Sequence, residues 1–196
     1  MERRLVAVLV IAVAFLLAAT AVQAFDSNRK GFTIGLGGGL GITSFTQEID
    51  IDEFGEGSLK SDRETDFGFG TDFRIGWGFS NQFMLYYENR VSWFGMESLA
   101  GDVTIANGVG LVGASYYLQE GAPSVYILGS IGTSAWMAPF EEDSGSMSGF
   151  GISGGLGYEF RPHLSVEGTV NLGWPSEDEV TTNAAAVLVT LCYNWY

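Results

Sequence analysis

Apolar and polar residues alternate along this chain with a period of two, and no stretch after residue 30 carries a sustained helical period. Segment 163–174 is the cleanest case. Leu164, Val166, Gly168, Val170, Leu172 and Trp174 share one face, with Ser165, Glu167, Thr169, Asn171 and Gly173 on the other. Segments 150–160 and 67–79 repeat the pattern, through Phe150, Ile152, Leu156, Tyr158 and Phe160 and through Phe67, Phe69, Phe73, Ile75, Trp77 and Phe79. Such alternation puts successive side chains on opposite faces of a β-strand. It predicts eight strands, near 31–45, 65–78, 82–95, 103–118, 124–138, 147–160, 163–174 and 184–195. The faces of the fourth and fifth stay undecided, because apolar residues stand on both sides.

The connections alternate in length. Short ones centre on Ser80-Asn81, Glu120-Gly121 and Arg161-Pro162; longer acidic ones span 46–64, 96–102, 139–146 and 175–183. This layout predicts an all-β, eight-stranded antiparallel up-and-down barrel over 31–196, without a second domain. If the apolar face lined the interior, the outer face would be mostly Gly, Ser and Thr, and lysine is confined to Lys30 and Lys60. A soluble domain of this size covers itself with charged residues. Turning the apolar face outward to lipid removes the difficulty, since a closed barrel pairs every backbone group, as hydrocarbon demands.

The aromatics agree. Trp77, Phe79, Phe83, Tyr158, Phe160 and Trp195 gather at the turn side, and Phe45, Phe67, Trp93, Phe150 and Trp174 at the loop side, as two interfacial girdles. The expectation is a transmembrane barrel with both termini and the short turns in the periplasm, and small polar residues filling a narrow interior.

The N-terminus fits export. Residues 1–24 read as a cleaved signal peptide: a charged start at Glu2-Arg3-Arg4, an apolar run from Leu5 to Ala19, and small residues at Val22-Gln23-Ala24. The 15-residue run is short of the ~20 residues of a spanning helix. Residues 25–30 form a short lead into the barrel. Removing the leader, with its one acid and two bases, leaves 22 acids and 7 bases, a formal charge of −15. Nucleic acid is thereby excluded as a partner, since phosphate binding needs clustered Lys and Arg. The single cysteine, Cys192, excludes a disulfide framework and a cysteine-based zinc site.

The Gly-rich first strand Gly31-Phe-Thr-Ile-Gly-Leu-Gly-Gly-Gly-Leu-Gly, four hairpins and an aromatic C-terminus give the chain a resemblance to small outer-membrane β-barrels of the OmpA/OmpX type. The resemblance implies an integral outer-membrane location and contact with outer-membrane lipid and lipopolysaccharide. It also implies recognition of the C-terminal aromatics by the barrel-assembly machinery. Tyr193, Trp195 and Tyr196 are the residues concerned, and the alternating register lands on Trp195, one residue early.

Several motifs invite chemical readings. Gly108-Gly110-Gly113 and Gly149-Gly151-Gly154 fit G-x-G-x-x-G, but neither precedes the helix that dinucleotide binding requires, so no cofactor is expected. Gly151-Ile-Ser153-Gly-Gly155 fits a nucleophile elbow without the strand-to-helix turn. His163 and Ser165 form a His-x-Ser pair like that of outer-membrane lipid A deacylases, though beside a periplasmic turn. Asp72, Arg74, Glu88, Arg90, Glu159 and Glu167 fall on polar faces and predict a lumen charge network, in which Arg74 and Arg90 bridge acids of neighbouring strands. Acids crowd the outer loops, and Asp50, Asp52, Glu53 and Glu56 are candidates for loose divalent-cation binding; an EF-hand fails, with Phe54 and Ser61 at ligand positions. The expected function is therefore structural or surface-interacting and non-enzymatic. A narrow channel gated by the lumen charges is the alternative, and a lipid-modifying enzyme on His163 and Ser165 ranks behind it.

Overall fold

The computed structural model describes residues 28–50, 58–98, 101–141 and 145–196. The leader and three of the cation candidates, Asp52, Glu53 and Glu56, lie outside the described residues, as does the side chain of Asp50.

Eight long strands form the barrel: β1 (Gly31–Asp50), β3 (Glu64–Gly78), β4 (Phe83–Ser98), β5 (Gly101–Tyr117), β6 (Ser124–Met137), β7 (Ser146–Arg161), β8 (Leu164–Glu177) and β9 (Val180–Trp195). Each is antiparallel to the next, and β9 closes on β1. A short strand, β2 (Ser58–Lys60), pairs with the tip of β1 and prolongs the β3 edge. Tracing paired residues once around from Ile34 returns to β1 at Ser44, ten residues along the strand. At ~3.3 Å per residue and ~4.8 Å between strands, that stagger tilts eight strands by ~40°. The bore then has room for side chains and little else.

The short turns stand where the alternation predicts them, at 79–82, 118–123 and 162–163. The opposite end differs from expectation, because strand runs through 46–50, 58–60, 96–98, 101–102, 175–177 and 180–183, while 139–141 is turn. The 175–183 connection reduces to Asp178-Glu179, with Glu177 paired to Val180 and Asp178 at φ 49°. The reason is physical. Above the membrane the outward face meets water instead of lipid, so the outward apolar series ends while the backbone ladder continues. Strands of 14 to 20 residues exceed the ~9–11 needed to cross a bilayer. The excess projects at the loop end.

The exterior is an apolar band, with Leu40 75% and Phe67 78% exposed. The undecided faces are now resolved. On β5, Val112 and Tyr116 point out while Val109, Leu111 and Tyr117 point in; on β6, Val125, Ile127 and Ile131 point out while Tyr126, Leu128 and Trp136 point in. One girdle assignment is corrected. Phe45 is 4% exposed and faces the lumen, because the outward positions of β1 are the even ones, Leu40 and Ile42 among them. The remaining loop-side aromatics of the girdle do face out.

Candidate functional site

Buried side chains of the described residues occupy the lumen in three tiers. The expectation of small polar filling is corrected. Large side chains enter, and glycines on facing strands make room for them. A Cβ on Gly157 would run into the Tyr126 ring, and one on Gly35 would come within 2.7 Å of Arg74 Cγ.

The middle tier is the charge network. Arg74 and Arg90 project from adjacent strands, β3 and β4, and Asp72 is paired across from Arg90. Arg90 Nε donates to Asp72 Oδ2 at 2.7 Å and its Nη2 to Glu167 Oε2 at 2.9 Å. Arg74 Nη2 donates to the same Asp72 oxygen at 3.0 Å and to Glu167 Oε2 at 2.7 Å. Glu167 comes from β8, so the network spans the bore rather than joining neighbouring strands alone. Its other oxygen accepts from the Tyr126 hydroxyl at 2.5 Å. Ser153, the elbow serine, accepts from Arg90 Nη1 at 3.2 Å, which gives it a structural partner.

Three carboxylates here face two guanidiniums. Glu88 is the least satisfied: Oε1 accepts from Ser130 at 2.5 Å, while Oε2 lies 3.0 Å from Arg90 Nη2 without a hydrogen bond. Asp72, Glu167 and Cys192 offer ligand atoms within 4.8 Å of one another. A metal ion there would meet both arginines, so the donor set is already taken by cations of the chain itself.

Glu159 does not join this tier. It belongs to the turn end, where Arg29 of the N-terminal lead donates Nε to Glu159 Oε2 at 2.9 Å and pairs through Nη2 with the same oxygen. Arg29 Nη1 also donates to the carbonyls of Asn81 and Gln119, at 2.8 and 2.9 Å, tying two turns together. Its guanidinium stacks 3.9 Å from the Tyr117 ring centre. Tyr196 turns inward and donates its hydroxyl to Glu159 Oε1. Sequence reasoning missed Arg29, because it precedes the first strand and carries no alternation. It missed Tyr126 because the faces of β6 were undecided.

His163 and Ser165 are committed elsewhere. His163 sits at φ 73°, with Nδ1 2.9 Å from the Asn194 carbonyl and its ring against Tyr193 and Tyr196. Ser165 accepts from Tyr126 at 3.0 Å. At the loop end, Phe45, Phe94, Ile105, Trp136 and Ala184 pack together, with Met96, Val103, Ala138 and Met147 against them. Among the assembly residues, Tyr193 and Trp195 point outward in register with Leu191, and Tyr196 does not. The two G-x-G-x-x-G runs lie within β5 and β7, with no helix after either.

No protein-family model and no curated protein matches the chain. Solved structures do. The chain is similar to the outer-membrane protein OprG from Pseudomonas aeruginosa, at 13% identity and TM-score 0.53, covering 87% of this chain and 98% of that one. It is similar to the Neisserial surface protein A, at 10% identity and TM-score 0.52, covering 85% and 97%. The outer-membrane protein AlkL, solved by solid-state NMR in lipid bilayers, matches at 11% identity and TM-score 0.51, covering 86% and 92%. At such identities the likeness is one of fold. Together with the apolar exterior, it makes the chain an integral β-barrel of the bacterial outer membrane, in the small eight-stranded class.

Proposed function

We propose that this protein is a non-enzymatic outer-membrane barrel whose lumen is a structural lock and whose working surface is the acidic, strand-built rim above the membrane. The observation that carries the reading is the filling of the bore: aromatic packing at the loop end, five charged groups bound to one another in the middle, and Arg29 across the turn end. A gate needs charges that can move aside. Here Arg74 and Arg90 each bind two carboxylates at once, and both are buried. A lipid-modifying role for His163 and Ser165 finds no support either, since both side chains are engaged in structural bonds.

The rim fits surface interaction. The β1–β2–β3 hairpin lifts Glu48 and Glu64 beyond the band, and β8–β9 lifts Glu177 and Glu179. Divalent cations are the simplest partners for such a surface. Lipid and lipopolysaccharide contact the outer wall, and Trp195 is the aromatic presented to the assembly machinery. Planar-bilayer recording tests the lock. The wild-type protein is expected to give no channel events, whereas steady conductance abolished by altering Arg74 or Arg90 would replace this reading with a gated pore.

A further inference from the structure

The two halves of the lipid-facing wall differ in chemistry. On β7, β8, β9 and β1, the outward residues between the girdles are apolar or glycine, as at Leu156, Val166, Val170, Val189 and Leu40. On β4 the outward series runs from Phe83, in the turn-side girdle, to Trp93, in the loop-side girdle. Ten residues at ~3.3 Å each, tilted by ~40°, rise ~25 Å, the height of the hydrocarbon band. Asn89 lies on this series, between Tyr87 and Val91, and so faces the hydrocarbon. Among the described residues it is the one amide or charged side chain in that position. Asn183, also outward, stands at the loop-side rim, paired with Thr46.

The Asn89 side chain has no hydrogen-bond partner among the described residues, and the surroundings sharpen the point. Trp93 and Thr71, its outward neighbours, satisfy each other through Nε1–H donating to Oγ1 at 2.9 Å. Across from Asn89 the next strand carries only Gly110, and beyond it stands Thr133 on β6, donating to the Gly110 carbonyl at 3.3 Å. The Tyr87 hydroxyl lies over the same glycine, 3.0 Å from where a Cβ would be. The Tyr87 hydroxyl and Thr133 Oγ1 thus overlie Gly110, and with the Asn89 amide they form a small polar patch on the lipid-facing wall.

We propose that this β4–β6 face docks a second copy of the chain about a two-fold axis along the membrane normal, with Asn89 meeting Asn89 of the other copy. Acyl chains offer an amide no hydrogen bond, so its partner is a protein. A primary amide carries both donor and acceptor and is its own complement. All copies insert in one orientation, so Asn89 stands at one depth in each, and an isologous contact pairs it with itself.

The test is disulfide trapping in the outer membrane, in a Cys192→Ser background, with folding of each variant verified by the mobility shift between unheated and boiled samples. Asn89→Cys is expected to give an oxidised species of twice the mass, and Val170→Cys, on the opposite wall, none. Thr133→Cys is a second trapping position should Asn89→Cys not fold. In lipid vesicles, Asn89→Leu is expected to weaken self-association measured by energy transfer about tenfold, and Asn89→Gln to retain it. Equal trapping on both walls, an adduct with a different protein, or Asn89→Leu associating like the wild type would overturn the proposal.

Discussion

The two ends of the lumen are closed by opposite means. At the turn end, a cation from outside the barrel strands reaches in, and Arg29, Glu159 and Tyr196 bind one another beneath two turn carbonyls. At the loop end, Phe45, Phe94 and Trp136 fill the bore by volume alone, with ring centres 4.7 to 5.9 Å apart. Between them, Tyr117 stacks on Tyr126 at 4.3 Å, which joins the Arg29 cluster to Glu167 and the central arginines. The turn end and the middle therefore form one connected polar system, while the loop end stands apart. Directional bonds and volume filling respond to substitution differently, which makes the contrast testable.

The largest effect is expected for Arg90→Ala. It removes the group that contacts Asp72, Glu88 and Glu167 and leaves three buried acids with one guanidinium. Orphaning buried charge costs about 3–5 kcal/mol, read as a lower urea midpoint of refolding in lipid vesicles. A smaller loss of about 3 kcal/mol is expected for Arg29→Ala, which leaves Glu159 with the Tyr196 hydroxyl and the His163 amide. Adding Glu159→Gln should restore part of that loss, because the orphaned charge is then gone. If the double variant were simply additive, the ionic account of the turn end would fail.

Next comes Tyr126→Phe, which deletes the hydroxyl shared by Glu167 and Ser165 and should cost about 1.5–3 kcal/mol. It should also couple to Arg29→Ala through the Tyr117 stack, as a double-mutant cycle would reveal. The smallest effect, about 1 kcal/mol, belongs to Phe94→Leu, since an apolar cluster tolerates near-conserved volume. A loss there as large as that of Arg29→Ala would erase the difference between the ends.

Much of the barrel was legible because hydrocarbon enforces alternation. Every strand crossing the band had to show a period of two, and the short turns were marked where the period broke. Legibility failed where that pressure lapses. The loop-end extensions of β1, β8 and β9 rise out of the hydrocarbon, so no outward apolar series announces a strand there. On β5 and β6 the interior is itself apolar, through Leu111, Leu128 and Trp136, and alternation of apolar with apolar gives no contrast. Phe45 was readable from parity and was masked by its place among the girdle aromatics. The lumen charges announced themselves as isolated ions on glycine-rich faces. Their sorting did not, because whether Glu159 joins Arg74 or Arg29 depends on depth and on a lead residue outside every strand.

The most direct test of the closed lumen uses the chain's own cysteine. Cys192 stands in the middle tier beside Asp72 and Glu167 and is 2% exposed. A charged, membrane-impermeant thiol reagent applied to the folded protein in lipid is expected to leave Cys192 unmodified, and to label it fully once boiling in detergent opens the barrel. Rapid labelling of the folded wild-type protein would mean that water and ions reach the middle of the bore, and would contradict the account of a locked, non-conducting barrel.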